Sequence, residues 1–199
     1  MKIAIIVEGK TEKAFMPILR TFLMSRLQQM PDLDPKPQGG RIPTGEKLKR
    51  VVDNLLKDGF DAVIALTDVY TGTKDFKDAA DAKAQMKKWV GNNPRFYPHV
   101  AQHDFEAWLL PFWDRIQELA KYKKLPPSGK PEQVNHHKPP SKHIQEIFEI
   151  GKCRDSYSKT RDAPKILKDQ DLMKAVNECP ELKAFVNTIL LLCNGDLIP

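Results

Sequence analysis

Carboxylates that end two apolar segments are the residues of this sequence best suited to chemistry. Residues 2–7 (KIAIIV) form a run typical of a buried strand, and Glu8 follows it directly. A second run at residues 60–68 ends in Asp68. Parallel strands end at one edge of a sheet, where open α/β sheets bind ligands, so we expect both carboxylates to lie close together. Oxygen ligands of this kind suit Mg²⁺ or Mn²⁺ that bridges to substrate phosphate oxygens.

The tripeptide Gly9-Lys10-Thr11 has the form of the end of a nucleotide-binding P-loop, but the sequence before it excludes that motif. A P-loop has a further glycine five residues before the glycine of Gly-Lys-Thr. That position is Ala4, inside the apolar run, which leaves no room for a loop around phosphates. For Glu8, capping of the following helix and exposure to solvent remain the alternatives to a chemical role.

A third predicted strand, at residues 95–102, leads into His103 and Glu106. If residues 103–110 begin a helix there, the two side chains share one helix face. His103 would then supply a proton or a metal ligand. Glu106 would complete the metal shell begun by Glu8 and Asp68.

Positive charge is concentrated in the second half of the chain. Residues 121–165 carry eleven Lys or Arg and five Asp or Glu, an excess of six that equals the net charge of the whole chain. This distribution suits a polyanionic partner, although a solvated surface segment is the alternative. Ser141-Lys142, at a predicted helix start, is a candidate anion site. Lys159 and Arg161 are candidates for neutralising a developing charge.

The composition limits the class of protein. No apolar run approaches the ~20 residues of a membrane span, so we expect no membrane association. The three cysteines (Cys153, Cys179 and Cys193) lack Cys-x-x-Cys spacing, which predicts free thiols in a reducing cytoplasm. The spacing of His136, His137 and His143 fits no standard transition-metal site.

Strand and helix patterns alternate along the first 120 residues, which predicts an α/β fold with a mostly parallel, three-layer sheet. Residues 1–120 form the predicted core, and residues 121–199 a basic loop and helical segment packed on it as one structural unit. The other predicted elements are a helix capped by Thr11 with a kink at Pro17, a loop at 31–40, a helix from Gly45 to Gly59, a helix at 75–90, and helices near 142–150, 163–177 and 181–193.

The stretches IIVEGKTEKAF and AVIALTDVYTG resemble the TOPRIM superfamily of topoisomerases, bacterial primases, ribosomal-RNA maturases and OLD-type nucleases. Its signature is a strand that ends in Glu-Gly and a later strand that ends in Asp-x-Asp. Further stretches (QHDFEAWLL, PPSK at 139–142 and YSKTRDAP at 157–164) are similar to a group of small bacterial TOPRIM-related proteins of uncharacterised function. Members of that group are often encoded beside ATPases, and the wider set includes nucleases of phage-defence systems.

The resemblance implies that Glu8 is a general acid/base or metal ligand and that Asp68 is the first aspartate of the pair. The second aspartate is replaced by Tyr70, whose phenol is a poor Mg²⁺ ligand. Either Glu106 or Asp75 takes its place, or one metal binds, or the site is weakened; we select Glu106. The predicted catalytic residues are Glu8, Asp68, His103, Glu106 and Lys159, with Glu8, Asp68 and Glu106 as metal ligands. The predicted phosphate-binding residues are Lys10, Ser141, Lys142 and Arg161.

These observations predict a nuclease that uses Mg²⁺ or Mn²⁺ to hydrolyse DNA or RNA. Topoisomerases and primases need further domains that do not fit in 199 residues. The alternative is a non-catalytic or conditionally active subunit that binds metal or nucleotide and docks on an ATPase partner. A purely structural α/β domain is a third option. The sequence leaves the type of nucleic acid and the oligomeric state open.

Overall fold

A computed structural model describes residues 1–69, 76–135, 138–151 and 156–199, apart from the side chain of Lys10. Its sheet contains strands β1 (Lys2–Val7), β2 (Asp32–Pro37), β3 (Ala62–Val69) and β4 (Phe96–Gln102), in the order β2-β1-β3-β4. All three strand pairs are parallel. The carboxyl ends of β1, β3 and β4 therefore lie at one edge, and the predicted α/β class is confirmed.

Helices cover both faces of this sheet. The α-helices are α1 (Lys10–Met24), α2 (Gly45–Lys57), α3 (Ala79–Val90), α4 (Trp113–Ala120), α5 (Pro140–Ile150), α6 (Lys159–Leu167), α7 (Leu172–Glu178) and α8 (Pro180–Leu192). A 3₁₀ helix, Phe105–Phe112, connects β4 to α4, and another, Pro131–Gln133, lies between α4 and α5. In the described part of the chain, no helix has both the length and the apolar character needed to cross a membrane.

Alternate residues of the strands enter two separate cores, as period-two alternation requires. Ala4 and Ile6 pack in one core with residues of α2 and α3. Ile3 and Ile5 pack in the other core with α1, the first 3₁₀ helix and α4 to α8. This second core includes Phe15 and Phe185, so side chains from the first 120 residues and from the C-terminal helices share it.

Strand β2 corrects the predicted loop at residues 31–40. Gln38 N–H donates to Val7 O, so the backbone groups of even-numbered residues in β2 face β1. Pro35 and Pro37 occupy odd positions, whose missing N–H groups would face away from the sheet. Prolines are tolerated at such edge positions. The residues predicted to form a loop therefore include an edge strand.

Three helix boundaries also differ from prediction. Helix α1 begins after Gly9 and not at a Thr11 cap, because Glu12 instead accepts a hydrogen bond from Gly9 N–H at 3.0 Å. The predicted helix at 163–177 is two helices, interrupted where Asp169 has a left-handed φ of 60°. Helix α3 begins at Ala79, capped by Asp78. The Gly45 helix and its end near Gly59 are confirmed.

The described cysteines, Cys179 and Cys193, are free thiols, as predicted. Cys153 lies outside the described residues. Cys179 is buried at the start of α8, and burial raises the pKa of its thiol, which makes it a packing residue in the core.

Buried Glu132 holds the start of α8 against the first 3₁₀ helix. Its carboxylate accepts hydrogen bonds from Trp108 Nε1 at 3.0 Å, Glu181 N at 3.0 Å and Leu182 N at 3.3 Å. We expect Glu132→Ala to lower the free energy of unfolding by about 2–4 kcal/mol, because three buried or part-buried donors lose their acceptor. Glu132→Gln should cost less, since one amide oxygen remains. Urea titrations measure both; equal stability of Glu132→Ala and wild type would contradict this role.

Candidate active site

The ends of β1 and β3 are joined by hydrogen bonds through Glu8. This residue directly follows β1, and its Oε1 accepts from the Thr67 hydroxyl and, at 3.0 Å, from Asp68 N. Burial raises the pKa of Glu8, while these two hydrogen bonds oppose the shift. Glu8 and Asp68 are therefore brought together as the sequence predicts.

Glu12 is a neighbouring carboxylate to which the sequence assigned no role. It lies in the first turn of α1 and is buried, with its Oε2 held by Gly9 N. Its charge contributes to raising the pKa values of Glu8 and Asp68. The available signal was its position in the first helical turn after the strand-end Glu8, from which its side chain reaches back to Gly9 N.

The chain turns sharply where β4 ends. His103 has a left-handed φ of 67°, and its N–H donates to Val69 O at 2.8 Å. Few residues other than glycine adopt this conformation, although histidine tolerates it better than most, and such residues concentrate at functional sites. The 3₁₀ helix begins only at Phe105, so His103 does not share a helical turn with Glu106 as predicted. Burial lowers the pKa of His103.

Asp104 is a second carboxylate that sequence reasoning missed. It is fully buried, and its Oδ2 accepts a hydrogen bond from Ser141 N at 3.1 Å. Its Oδ1 is buried without a hydrogen-bond partner in the described part of the chain. Burial raises the pKa of Asp104, and the bonds from Ser141 and the charge of Lys159 oppose this. The signal was the one that identified Glu8: a carboxylate just beyond the end of a strand.

Glu106 is fully buried and bound by two residues of the C-terminal segment. Tyr157 donates its hydroxyl hydrogen to Oε1 at 3.1 Å, and Lys159 Nζ lies 2.8 Å from Oε2. Burial and the charge of Asp104 raise the pKa of Glu106, against the effect of Lys159. Burial lowers the pKa of Lys159, but the charges of Glu106, Asp104 and Asp68 outweigh burial and raise it. Lys159 is therefore a permanent cation beside the carboxylates.

Electrostatic coupling shows that these groups form one cluster. The pKa of Asp68 lies well above its usual value because of burial and because of the charges of Glu8, Asp104 and Glu12; Lys159 lowers it. Carboxylates from the ends of three adjacent strands thus repel one another, and two described cations, Lys159 near Asp68 and Arg41 near Glu8, oppose this repulsion. We define Glu8, Glu12, Asp68, Asp104 and Glu106 as the carboxylate cluster.

The oxygen atoms of the carboxylate cluster are suitable ligands for a hard divalent cation, but they do not form a closed binding cage. In the residues described, no three His, Cys, Asp or Glu side chains form a ready metal-binding group. Mg²⁺, however, usually keeps several waters and takes only one or two carboxylates. The partnerless Oδ1 of Asp104 and the mutual repulsion at Asp68 are what such a cation would relieve. Tyr70 and Asp75, the other residues considered for this position, lie outside the described residues.

The predicted phosphate-binding residues have different surroundings. Ser141 contacts the cluster, but its N–H already donates to Asp104. Lys142 is exposed, and its Nζ donates to Gln145 Oε1 at 2.9 Å. Arg161 makes two bonds to Asp162, at 2.9 and 2.7 Å. The side chain of Lys10 lies outside the described residues, as do His136 and His137 of the histidine group.

Known structures share this architecture. The C-terminal region of the Burkholderia pseudomallei OLD protein matches with a TM-score of 0.59 and 12% identity, over 96% of this chain and 98% of that chain. The C-terminal region of the Xanthomonas campestris pv. campestris OLD protein matches with a TM-score of 0.50 and 13% identity, over 96% of each chain. The chain therefore has the α/β fold of OLD C-terminal regions, and the predicted OLD relation is supported at the level of fold.

A family model identifies the chain more closely. The chain belongs to the family described as a domain of unknown function, DUF4276, whose model matches residues 7–190. That range contains every residue of the carboxylate cluster and Lys159. No curated protein matches the chain.

Proposed function

We propose that this protein is a metal-dependent nuclease that hydrolyses phosphodiester bonds of DNA or RNA. The observation that carries the proposal is the convergence of Glu8, Asp68 and Asp104 from three adjacent parallel strands, with Lys159 beside them. The fold of OLD C-terminal regions supports it. A role in phage defence or nucleic-acid processing follows from the resemblance and belongs to the same proposal.

Asp68 and Asp104 would hold a Mg²⁺ or Mn²⁺ ion, and Glu8, for which the sequence allows either a metal-binding or a proton-transfer role, would act on protons. The ion, when bound, supplies Lewis-acid polarisation of the scissile phosphate and lowers the pKa of an attacking water. Glu106, the ligand predicted from the sequence, is paired with Lys159 at 2.8 Å and would bind metal only if this ion pair opens. We therefore assign to Asp104 the metal-binding role at the end of β4 that the sequence pattern predicted for Glu106.

Residues of the chain itself would accept protons and stabilise negative charge during the reaction. Glu8 has a raised pKa, which makes it a better proton acceptor than an ordinary glutamate near neutral pH. Burial lowers the pKa of His103, which favours its neutral ring near pH 7 but makes that ring a weaker base. Lys159 stays charged and can stabilise negative charge that develops on the phosphate oxygens.

Cleavage assays with Glu8→Gln test this function. We expect wild type to cleave plasmid DNA or structured RNA with Mg²⁺ or Mn²⁺ and not with EDTA. Glu8→Gln should be about 10²–10⁴-fold slower, the usual contribution of a general acid or base. Glu46→Gln, an exposed change in the first turn of α2, is the matched control and should cleave like wild type. Cleavage that persists in EDTA or in Glu8→Gln would refute the proposal.

The second candidate is a subunit that becomes active only with an ATPase partner. The ion pair between Lys159 and Glu106 favours it, because this contact leaves the cluster without a ready three-ligand group in the described chain. The structural matches are also C-terminal regions of their proteins. In this case wild type alone does not cleave, yet Mn²⁺ raises its melting temperature through Asp68.

A further inference from the structure

A groove separate from the carboxylate cluster lies along β4, the outer strand of the described sheet. Its volume is about 1010 Å³, and it is bordered by α3 on one side and by Thr188 of α8 on the other. Ala80, Lys83, Ala84 and Lys87 share the face of α3 that lines it, at the i, i+3, i+4 and i+7 positions of a helix. The two alanines leave space, and the two lysines supply charge.

The lining of this groove is basic. Lys83, Lys87 and Lys88 line it, and its described lining residues include no Asp or Glu. Lys83 makes an ion pair with Glu181 at 2.8 Å, which links α3 to α8, whereas Lys87 and Lys88 are exposed. A groove with this charge attracts anionic groups such as phosphates.

His99 adds a hydrogen-bond acceptor to the groove lining. Thr188 Oγ1 donates to Ala184 O at 3.1 Å, so His99 Nε2, at 2.9 Å, must donate to Thr188 Oγ1. Burial and the charges of Lys83 and Lys87 lower the pKa of His99 to about 4, so the ring is neutral at pH 7. Nδ1 is then an acceptor, and it is buried without a hydrogen-bond partner in the described part of the chain.

An additional β-strand is a poor occupant of this edge. Arg95 O accepts from Val63 N at 2.9 Å, so odd-numbered residues of β4 face β3 and even-numbered residues face outward. Pro98 is therefore at an outward position, where it has no N–H to donate to an incoming strand. A ligand that binds through lysine side chains and His99 does not need that N–H.

We propose that this groove binds a nucleotide unit, with its phosphates on Lys87 and Lys88 and a hydroxyl or amino hydrogen donated to His99 Nδ1. The same chemistry is present in a free nucleotide and in a single strand of nucleic acid. The groove uses residues upstream of His103 in β4, outside the carboxylate cluster. Binding there is therefore independent of metal and of cleavage.

Binding measurements in EDTA test the groove apart from any nuclease activity. The probes are a fluorescent single-stranded oligonucleotide, ATP and inorganic phosphate. The variant is Lys87→Gln/Lys88→Gln, and the matched control is Lys47→Gln/Lys57→Gln, which makes the same charge change at exposed positions of α2. We expect at least fivefold weaker binding of the oligonucleotide in the groove variant. Its salt dependence (log K against log salt) should also flatten by about 1.4, at ~0.7 for each lost single-strand phosphate contact.

The other probes separate the sources of the ligand. Weakening of ATP binding as well as oligonucleotide binding indicates that a free nucleotide suffices; weakening of the oligonucleotide alone indicates a nucleic-acid strand. His99→Phe should weaken the nucleotide-bearing probe by about 2–10-fold, the range for one hydrogen bond, and leave inorganic phosphate unaffected. The lysine variants keep the test valid if His99→Phe does not fold. Equal binding by the groove variant and its control, or no binding of either nucleotide probe by wild type, would overturn the proposal.

Discussion

We expect Asp68→Asn to abolish the proposed metal-dependent cleavage and to make the metal-free protein more stable than wild type. The carboxylate of Asp68 lies near Glu8, Asp104 and Glu12, whose charges join burial in raising its pKa. Asparagine removes one of these repelling charges and keeps the size of the side chain. A gain of ~1 kcal/mol would raise the melting temperature by roughly 2–4 °C in a chain of this size. The same change removes a proposed metal ligand, so we expect stability and activity to change in opposite directions.

The effect on stability depends on pH in a defined direction. A carboxylate with a raised pKa in the folded state binds more protons folded than unfolded, so its destabilising effect appears as pH rises towards the folded pKa. Wild type and Asp68→Asn should therefore be similar in stability near pH 4 and differ most at neutral pH and above. Thermal melts in EDTA across this range measure the difference.

Asp196→Asn, at an exposed position near the C-terminus, is the control for the loss of one negative charge. Mn²⁺ should raise the melting temperature of wild type and of this control, and should not raise that of Asp68→Asn. Lower stability of Asp68→Asn at pH 8 in EDTA would show that the carboxylate is not under the repulsion described here. Unchanged cleavage by this variant would remove Asp68 from the site.

Lys159→Gln is expected to lose both activity and stability. Glu106 is fully buried, and of its two described side-chain donors it keeps Tyr157 when the lysine is gone. Leaving a buried charge without its partner costs about 1–3 kcal/mol; the partly exposed position of Lys159 favours the lower part of that range. Cleavage should fall by about 10²–10³-fold if Lys159 stabilises charge at the phosphate.

A double variant separates the structural and chemical roles of this lysine. Glu106→Gln/Lys159→Gln removes both charges, so it should recover most of the stability lost in Lys159→Gln without recovering cleavage. Lys165→Gln, also on α6 but more exposed, serves as the control and should behave like wild type. Urea unfolding and initial cleavage rates give the two readouts. Recovery of cleavage in the double variant would mean that Lys159 acts only by neutralising Glu106.

The carboxylates at the strand ends show which residues of the candidate site can be predicted from local sequence patterns. Glu8 and Asp68 follow from two apolar runs alone, because strands of a parallel sheet end at one edge. Asp104 has the same relation to β4 and was passed over for Glu106, since the sequence does not reveal that the chain turns at His103 before the 3₁₀ helix begins. That turn decides which of the two carboxylates, Asp104 or Glu106, pairs with Lys159.

Charge patterns were less informative than strand patterns. The sequence indicated Ser141, Lys142 and Arg161 as phosphate contacts, whereas the fold gives each of them a protein partner. The basic groove on β4 was not predicted, because its lysines belong to α3, outside the strongly basic residues 121–165. Pairing with nearby acids and the assembly of distant helices are not visible in a local charge count.

The sequence by itself determined the α/β class, the buried strands β1 and β3, and the position of two carboxylates at their ends. The reason is that apolar runs, and the polar residues that end them, are local properties of the sequence. Only the tertiary structure decided that β2 is an edge strand despite its prolines, that Asp104 joins the cluster, and that Lys159 pairs with Glu106. Each of these depends on contacts between residues distant in the chain. Such contacts are set by how the helices pack on the sheet and leave no periodic signal in the sequence.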